Sequence, residues 1–257
     1  MDTGLTDRVA LVPGSSSGIG LAVARALAAE GAHVVLAGRR GDLVRAEAER
    51  LPSALGVEVD LTDPAAPGLL VARAEERFGP VDVAVLNGGG PPPGTATDLT
   101  PEQLTDAVAQ LVHPHQRLVA AVLPGMRERG FGRIVAVGSS GVQQPIDRLV
   151  ASNAARAALA GYLKTLASEV AADGVTVNMV LPGRIATDRT AALDRAAAER
   201  TGVTPEQARA RSEGAIPMGR YGTPAEFAAV VTFLASTAAS YVTGEQIRCD
   251  GGVVRAH

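Results

Sequence analysis

The 257-residue sequence has no tryptophan, one cysteine and four histidines, and aromatic residues make up only 3% of it. The lone Cys249 excludes an intrachain disulfide framework and a multi-cysteine metal centre. Four histidines are thin material for zinc, so no metal is expected. With so few rings, the core must be built from Ala, Val and Leu, which suits helices packed closely onto a parallel sheet. No apolar run reaches the length of a membrane span. The opening residues MDTGLTDRVALV carry neither a basic stretch nor a long apolar one, so no secretory leader is read and a cytoplasmic location is expected. A net charge of −3 argues against general binding to nucleic acid or membrane surfaces. What is present, 46% hydrophobic and 20% charged residues, describes an ordinary globular chain of one-domain length.

Short β-branched runs alternate with Ala-rich stretches, the signature of βαβ units. Strands are predicted over residues 8–12, 33–37, 56–59, 81–86, 133–137, 176–180 and 246–249, with early helices over 19–30 and 43–50. Thr100, Thr204 and Thr223 each precede Pro and stand three residues before Gln103, Gln207 or Glu226. That spacing predicts three helix starts with a Thr cap and Pro in the first turn. The expectation is a single α/β domain over residues 1–257, a doubly wound parallel sheet with helices on both faces. Residues 184–220 lack strand character and read as a helical lid over a pocket. Pro91, Pro92, Pro93 and Gly94 form a rigid loop after strand four, on the edge of an open parallel sheet where ligands bind.

The first strand runs into Gly14-Ser15-Ser16-Ser17-Gly18-Ile19-Gly20 and then a helix. Glycines let the backbone turn sharply and approach a pyrophosphate, and the helix N-terminus offers it unpaired N–H groups. Strand two ends in Gly38-Arg39-Arg40, where a site for NAD usually carries an acid. Guanidinium groups suit a 2′-phosphate by charge and fork geometry, so NADP is favoured, with NAD possible. The other reading of Arg39 and Arg40 is a solvated turn.

Further motifs are Asp60-Leu61, Asn87-Gly88-Gly89, Gly138-Ser139-Ser140, Asn178, Pro182-Gly183 and Asp250-Gly251-Gly252. With the glycine loop, they make the chain resemble the short-chain dehydrogenases/reductases over essentially its full length, close to the 3-oxoacyl-ACP reductase-like members. The resemblance implies a Rossmann-type fold. It implies that Asp60 and Leu61 flank adenine, that Asn87, Gly88 and Gly89 line the adenosine ribose, and that Pro182, Gly183, Ile185 and Thr187 meet the nicotinamide end. Pro13 stands where the family usually has Thr, so a polar tie between strands one and four is expected to be lost.

The family's chemistry normally uses Asn, Ser, Tyr and Lys. By the resemblance Ser139 fills the Ser role. Ser152, thirteen residues on, stands at the Tyr position, and Arg156 at the Lys position. Leu111 stands at the Asn position. Ser is a far weaker acid than Tyr, whose pKa is about 10, and Arg keeps a charge it does not readily give up. The usual Tyr-x-x-x-Lys pair is therefore absent and the proton relay atypical. Tyr162 and Lys164 do not replace it, because that spacing sets them on different helix faces.

His115 shares a helical face with Leu111 and titrates near neutrality when unperturbed, so it, or His113, is a candidate acid–base group. Pro114 between them should disturb the helix and free a carbonyl. Asp147 is a second candidate, unless it is a solvated loop carboxylate. Arginines of the lid interleave with acids, as on an ion-paired exposed helix, and only Arg184 is expected near cofactor or substrate. The leading expectation is an NADP(H)-dependent carbonyl reductase or alcohol dehydrogenase acting on a small molecule. The alternatives are a lyase or isomerase using the same pocket without net redox, and a catalytically inactive homologue acting as a binding or assembly partner. By resemblance the protein is a homotetramer or homodimer.

Overall fold

The computed structural model describes residues 2–255. Its elements run β1 (Val9–Pro13), α1 (Gly18–Ala29), β2 (His33–Gly38), α2 (Gly41–Glu49), β3 (Ala54–Glu58), α3 (Ala66–Phe78), β4 (Val83–Leu86), α4 (Pro101–Leu111), α5 (His113–Arg129), β5 (Gly132–Val137), α6 (Val150–Val170), β6 (Val175–Pro182), α7 (Asp188–Thr201), α8 (Pro205–Gly214), α9 (Pro224–Ala235) and β7 (Gln246–Cys249). The strands form one sheet in the order β3-β2-β1-β4-β5-β6-β7, every neighbouring pair parallel. The chain order reverses between β1 and β4. In a sheet of this kind the reversal opens a crevice beyond the strand ends.

Successive strand residues point to opposite faces, and the core divides accordingly. Leu11, Val35, Ala84 and Leu86 join one cluster with Leu70, Leu118, Met126 and Leu159 from α3, α5 and α6. Ala10, Val34, Leu36 and Val85 join another with Val23, Leu27, Phe227 and Val231 from α1 and α9. The result is a Rossmann-type three-layer α/β arrangement. Phe227 is fully buried in the second cluster. Phe227→Ala is expected to cost about 3–5 kcal/mol through lost burial and a residual cavity, read from the midpoint and slope of urea unfolding.

Boundaries differ from the sequence reading where tertiary contacts outweigh local preference. β3 begins at Ala54 because pairing with Val34 and Val35 recruits Ala54 and Leu55. β4 is shorter at its start; the Asp82 carboxylate there accepts the Val9 amide at 3.1 Å. The three Thr caps all form, each with its reciprocal Gln or Glu bond to the backbone. Residues 184–220 hold α7 and α8. No helix among the described residues is long and apolar enough to cross a membrane.

Candidate functional site

At the glycines of the loop, either the backbone angle or a close neighbour disfavours a side chain. Gly14 and Gly18 sit at φ 65° and 62°, a region that disfavours other residues. A Cβ on Gly20 would stand 2.3 Å from the Gly14 carbonyl oxygen, so α1 begins hard against the loop. Asn87, buried at the end of β4, donates its side-chain amide to the carbonyls of Pro13 and Gly14 at 3.0 and 3.2 Å. A polar tie from β4 to the end of β1 therefore exists, contrary to the expectation drawn from Pro13. It survives because the acceptors are backbone carbonyls, which proline retains. A diphosphate fits this cradle, with the α1 N-terminus supplying donors and partial positive charge.

The two arginines after β2 take different positions. Arg40 folds back over the loop, its Nη2 donating to Ser16 Oγ at 2.8 Å and Ser17 Oγ at 2.7 Å. Arg39 is exposed and lies near Asp60. Asp60 accepts from the amide and hydroxyl of Thr62, which hold its carboxyl below the usual range, and Arg39 adds to this. Leu61 approaches Gly88, on the far side of the β1–β4 crevice.

A cleft of about 450 Å³ joins this cradle to the ends of β5 and β6. It brings together Gly14, Ser17, Gly18, Ile19 and Gly20, then Asn87, Gly88 and Gly89, then Ser139, Ser152 and Arg156, and finally Pro182, Gly183, Ile185 and Thr187. Ser16, Arg39, Arg40, Asp60, Leu61 and His115 are not on its lining. Thr187 caps α7 and stands beside Gly18, linking the segment 184–220 to the start of α1. A second, more open cleft of about 550 Å³ lies around α7, α8 and Tyr221 and carries no part of the glycine loop.

Ser139 caps the turn after β5, its Oγ accepting the Gly141 amide at 3.1 Å. Ser152 lies in the first turn of α6, nearly buried on the cleft wall. Arg156 follows one turn later and donates Nη1 to the Val137 carbonyl at 2.7 Å. Burial lowers its pKa to about 10, with the Arg189 charge adding to the effect. It stays protonated at neutral pH. Leu111 is buried among Ala107, Ala151 and Ala155, so apolar packing between α4 and α6 fills the space behind Ser152. Tyr162 packs partly buried against the core, and Lys164 donates to the Gly244 carbonyl at 2.8 Å. Neither reaches the cleft lining. Asp147 is exposed.

Pro114 does interrupt the helix: α4 ends at Leu111 and α5 starts at His113. His113 is exposed, whereas His115 is buried behind Gly88. His115 Nδ1 lies 2.8 Å from the Leu111 carbonyl oxygen. A carbonyl only accepts, so Nδ1 carries the hydrogen and Nε2 is a bare acceptor without a partner. Burial pushes the His115 pKa down to about 4, outweighing the Leu111 bond. At neutral pH the ring is uncharged and holds no proton on Nε2 to donate. This departs from the sequence expectation of a general acid, and the reason is desolvation.

The stability consequence has a definite sign. Between pH 6.5 and 4 the unfolded chain takes up a proton that folded His115 refuses. The contribution is fully present above pH 6.5 and is lost as pH falls toward 4. The loss is about 3 kcal/mol at most. His115→Gln is expected to flatten the fall in urea-unfolding stability across this window; an unchanged slope would assign the acid sensitivity elsewhere.

Two features of the site, Asn153 and Arg189, were not singled out by sequence, and a third, Arg184, was singled out but is engaged differently. Asn153 bonds Ile146 through its side-chain amide at 2.9 Å and so fixes the loop beyond Ser139. Arg184, the lid arginine expected at the ligand, lines the cleft but is bound at 3.2 Å to buried Asp194, which also accepts from the Tyr221 hydroxyl. Arg189, one among many lid arginines in the sequence, is the one whose guanidinium reaches over Gly90. The alternation of charges hid this, since pairing partners are set by the fold. No group of His, Cys, Asp or Glu able to hold a metal ion occurs among the described residues.

A family model described as enoyl-(acyl carrier protein) reductase matches residues 14–254. A putative ketoacyl reductase of the monensin polyketide synthase from Streptomyces virginiae is 36% identical over 254 residues, covering 96% of this chain and 97% of that protein. The 3-oxoacyl-[acyl-carrier-protein] reductase FabG of Escherichia coli is 35% identical over 247 residues, covering 96% and 97%. The structure of L-sorbose reductase from Gluconobacter frateurii, complexed with NADPH and L-sorbose, superposes with a TM-score of 0.94 at 33% identity over 100% of both chains. A model match and relatives that each span almost the whole sequence agree with the sheet order and the glycine cradle: the chain belongs to the short-chain dehydrogenase/reductase family.

Proposed function

We propose that the protein is an NADP(H)-dependent oxidoreductase of the carbonyl reductase or alcohol dehydrogenase type with an atypical proton relay. The observation that carries this reading is the single cleft joining the glycine cradle to Ser139, Ser152 and Arg156. Similarity to ketoacyl reductases and to a sugar reductase with NADPH bound supports it. NADPH supplies the hydride when bound. Residues 14–20 and Asn87, Gly88 and Gly89 would hold it, with Pro182, Gly183, Ile185 and Thr187 at the nicotinamide end. Asp60 and Leu61 would flank the adenine. Arg40, with Ser16 and Ser17, would read the 2′-phosphate, and Arg39 would add charge beside them. NADH fits the same cradle and is expected to bind more weakly.

On the substrate side, the Ser139 and Ser152 hydroxyls orient the substrate oxygen. Arg156 keeps positive charge beside it and offers donors to the cofactor ribose. None of these groups is an acid of tyrosine's strength, so the proton comes through a hydroxyl or solvent and turnover is slow. His115 stands behind Gly88 as a neutral ring bonded to the Leu111 carbonyl. The segment 184–220 acts as the substrate lid.

The test is purified protein incubated with NADPH and a panel of small ketones, hydroxy compounds and enoyl thioesters, following nicotinamide absorbance. Slow NADPH-dependent carbonyl reduction is expected. Turnover of enoyl thioesters alone would move the reading to reduction of carbon–carbon double bonds. Tight NADPH binding with no turnover would favour a cofactor-binding protein that is not a reductase, consistent with the missing acid. A cytoplasmic, homodimeric or homotetrameric protein belongs to the same proposal. Leu104 on α4 is an exposed apolar residue on a helix where subunits would pair. Light scattering at the mass of one chain would contradict that part.

A further inference from the structure

Ion pairing accounts for several lid arginines: Arg184 with Asp194, Arg209 with Glu213 and Arg220 with Glu226. Two guanidinium groups on the cleft stand apart. Arg156 spends one donor on the Val137 carbonyl and has no carboxylate partner among the described residues. Arg189, on the first turn of α7, makes no ion pair or hydrogen bond among them. Both line the same cleft, close enough for the charge of Arg189 to oppose protonation of Arg156. Unpaired like charges facing one cavity are unfavourable, the more so where one is desolvated. The one carboxylate on the lining, Asp188, sits at the N-terminus of α7, whose dipole already favours negative charge there.

We propose that Arg156 and Arg189 together bind a carboxylate of the substrate, so that the cleft takes a small oxo or hydroxy acid rather than a neutral carbonyl compound. The inference rests on the proposed oxidoreductase reading and names its substrate class. A guanidinium fork matches a carboxylate in shape and charge, and its donors point in more than one direction, so Arg156 can serve the ribose and the acid together. The remaining wall beside Ser152 is apolar, formed by Ile146, Leu149, Leu193 and Val253. That wall suits a short aliphatic body. The diphosphate of the cofactor is the other anion at hand, but the α1 N-terminus already serves it. Arg156 lies one helical turn from Ser152, and both line the cleft.

The test is calorimetric titration of NADPH-saturated protein with α-ketoisocaproate and with its methyl ester. The acid is expected to bind at least about tenfold more tightly than the ester, the scale of one charge-assisted bond. Arg189→Gln should remove about tenfold of the acid's affinity and leave ester and NADPH affinities unchanged. Arg189→Lys should restore part of it. Equal binding of acid and ester, or of neither, would overturn the proposal. So would an Arg189→Gln protein that loses NADPH as strongly as acid, since the diphosphate would then be the arginine's ligand. Failure of the wild-type protein to bind NADPH would instead sink the oxidoreductase reading. In that case the same titration on cofactor-free protein decides the arginine pair by itself.

Discussion

Ser152→Tyr combined with Arg156→Lys is expected to raise the rate of NADPH-dependent ketone reduction by about 10²–10⁴-fold, the usual worth of a positioned general acid. Ser139 is already on the cleft, capping the turn after β5. Residue 152 faces the same cavity, so a phenol there can reach the substrate oxygen. A phenol has a pKa of about 10, which a neighbouring ammonium draws toward working pH. The lysine matters because Arg156 is tethered to the Val137 carbonyl and holds its charge in one place. Ser152→Tyr alone should therefore gain less. Single-turnover absorbance measurements at saturating NADPH read the effect, and the new activity should show a pH dependence absent from wild type. If the double variant binds NADPH normally and its rate does not rise, the proton side is not what limits this protein. Leu111 is left in place by design, since a polar residue among Ala107, Ala151 and Ala155 would be buried without a partner.

Arg40→Ala should weaken NADPH binding by at least about tenfold, the loss of one charged bond to a phosphate, with little change for NADH. Arg40 is the guanidinium that lies across the loop, bonded to Ser16 and Ser17. Arg39→Ala is expected to have the smaller effect, because Arg39 faces Asp60 and solvent. Fluorescence titration with each nicotinamide cofactor separates the two. Equal loss of NADPH and NADH in Arg40→Ala would mean that Arg40 supports the loop rather than reading a phosphate. A larger effect at Arg39 would reverse the assignment between the pair.

Much of the architecture is legible in the sequence. Sheet strands buried on both faces announce themselves as short β-branched runs, and Val83–Leu86 is fully buried as its composition implies. The Thr-Pro helix starts were legible because a cap is a local device, complete within four residues. What escaped was set by distant partners. Arg39 and Arg40 are adjacent in the chain, yet only the fold puts one over Ser16. His115 looked like a titrating group because its pKa in water is near neutral; burial behind Gly88 could not be read from its neighbours. Arg184 looked free for the same reason that Arg189 looked ordinary. The first finds Asp194 ten residues away across a bend, and the second finds no acid among the described residues.

The glycine loop is closely hemmed in: at Gly20 any side chain would strike the Gly14 carbonyl, and at Gly14 it would strike the Asn87 side-chain amide. The opposite wall is made of side chains on α6, of which, among the described residues, only Arg156 ties back to the backbone of another element, at the Val137 carbonyl. Mutation therefore acts unequally on the two halves. A change in the loop disturbs the fold and the cofactor at once, while an exchange at 152 leaves these ties in place and one at 156 gives up a single bond to Val137. A lineage built on this frame can lose or replace its chemistry in single steps and still inherit the nucleotide site whole.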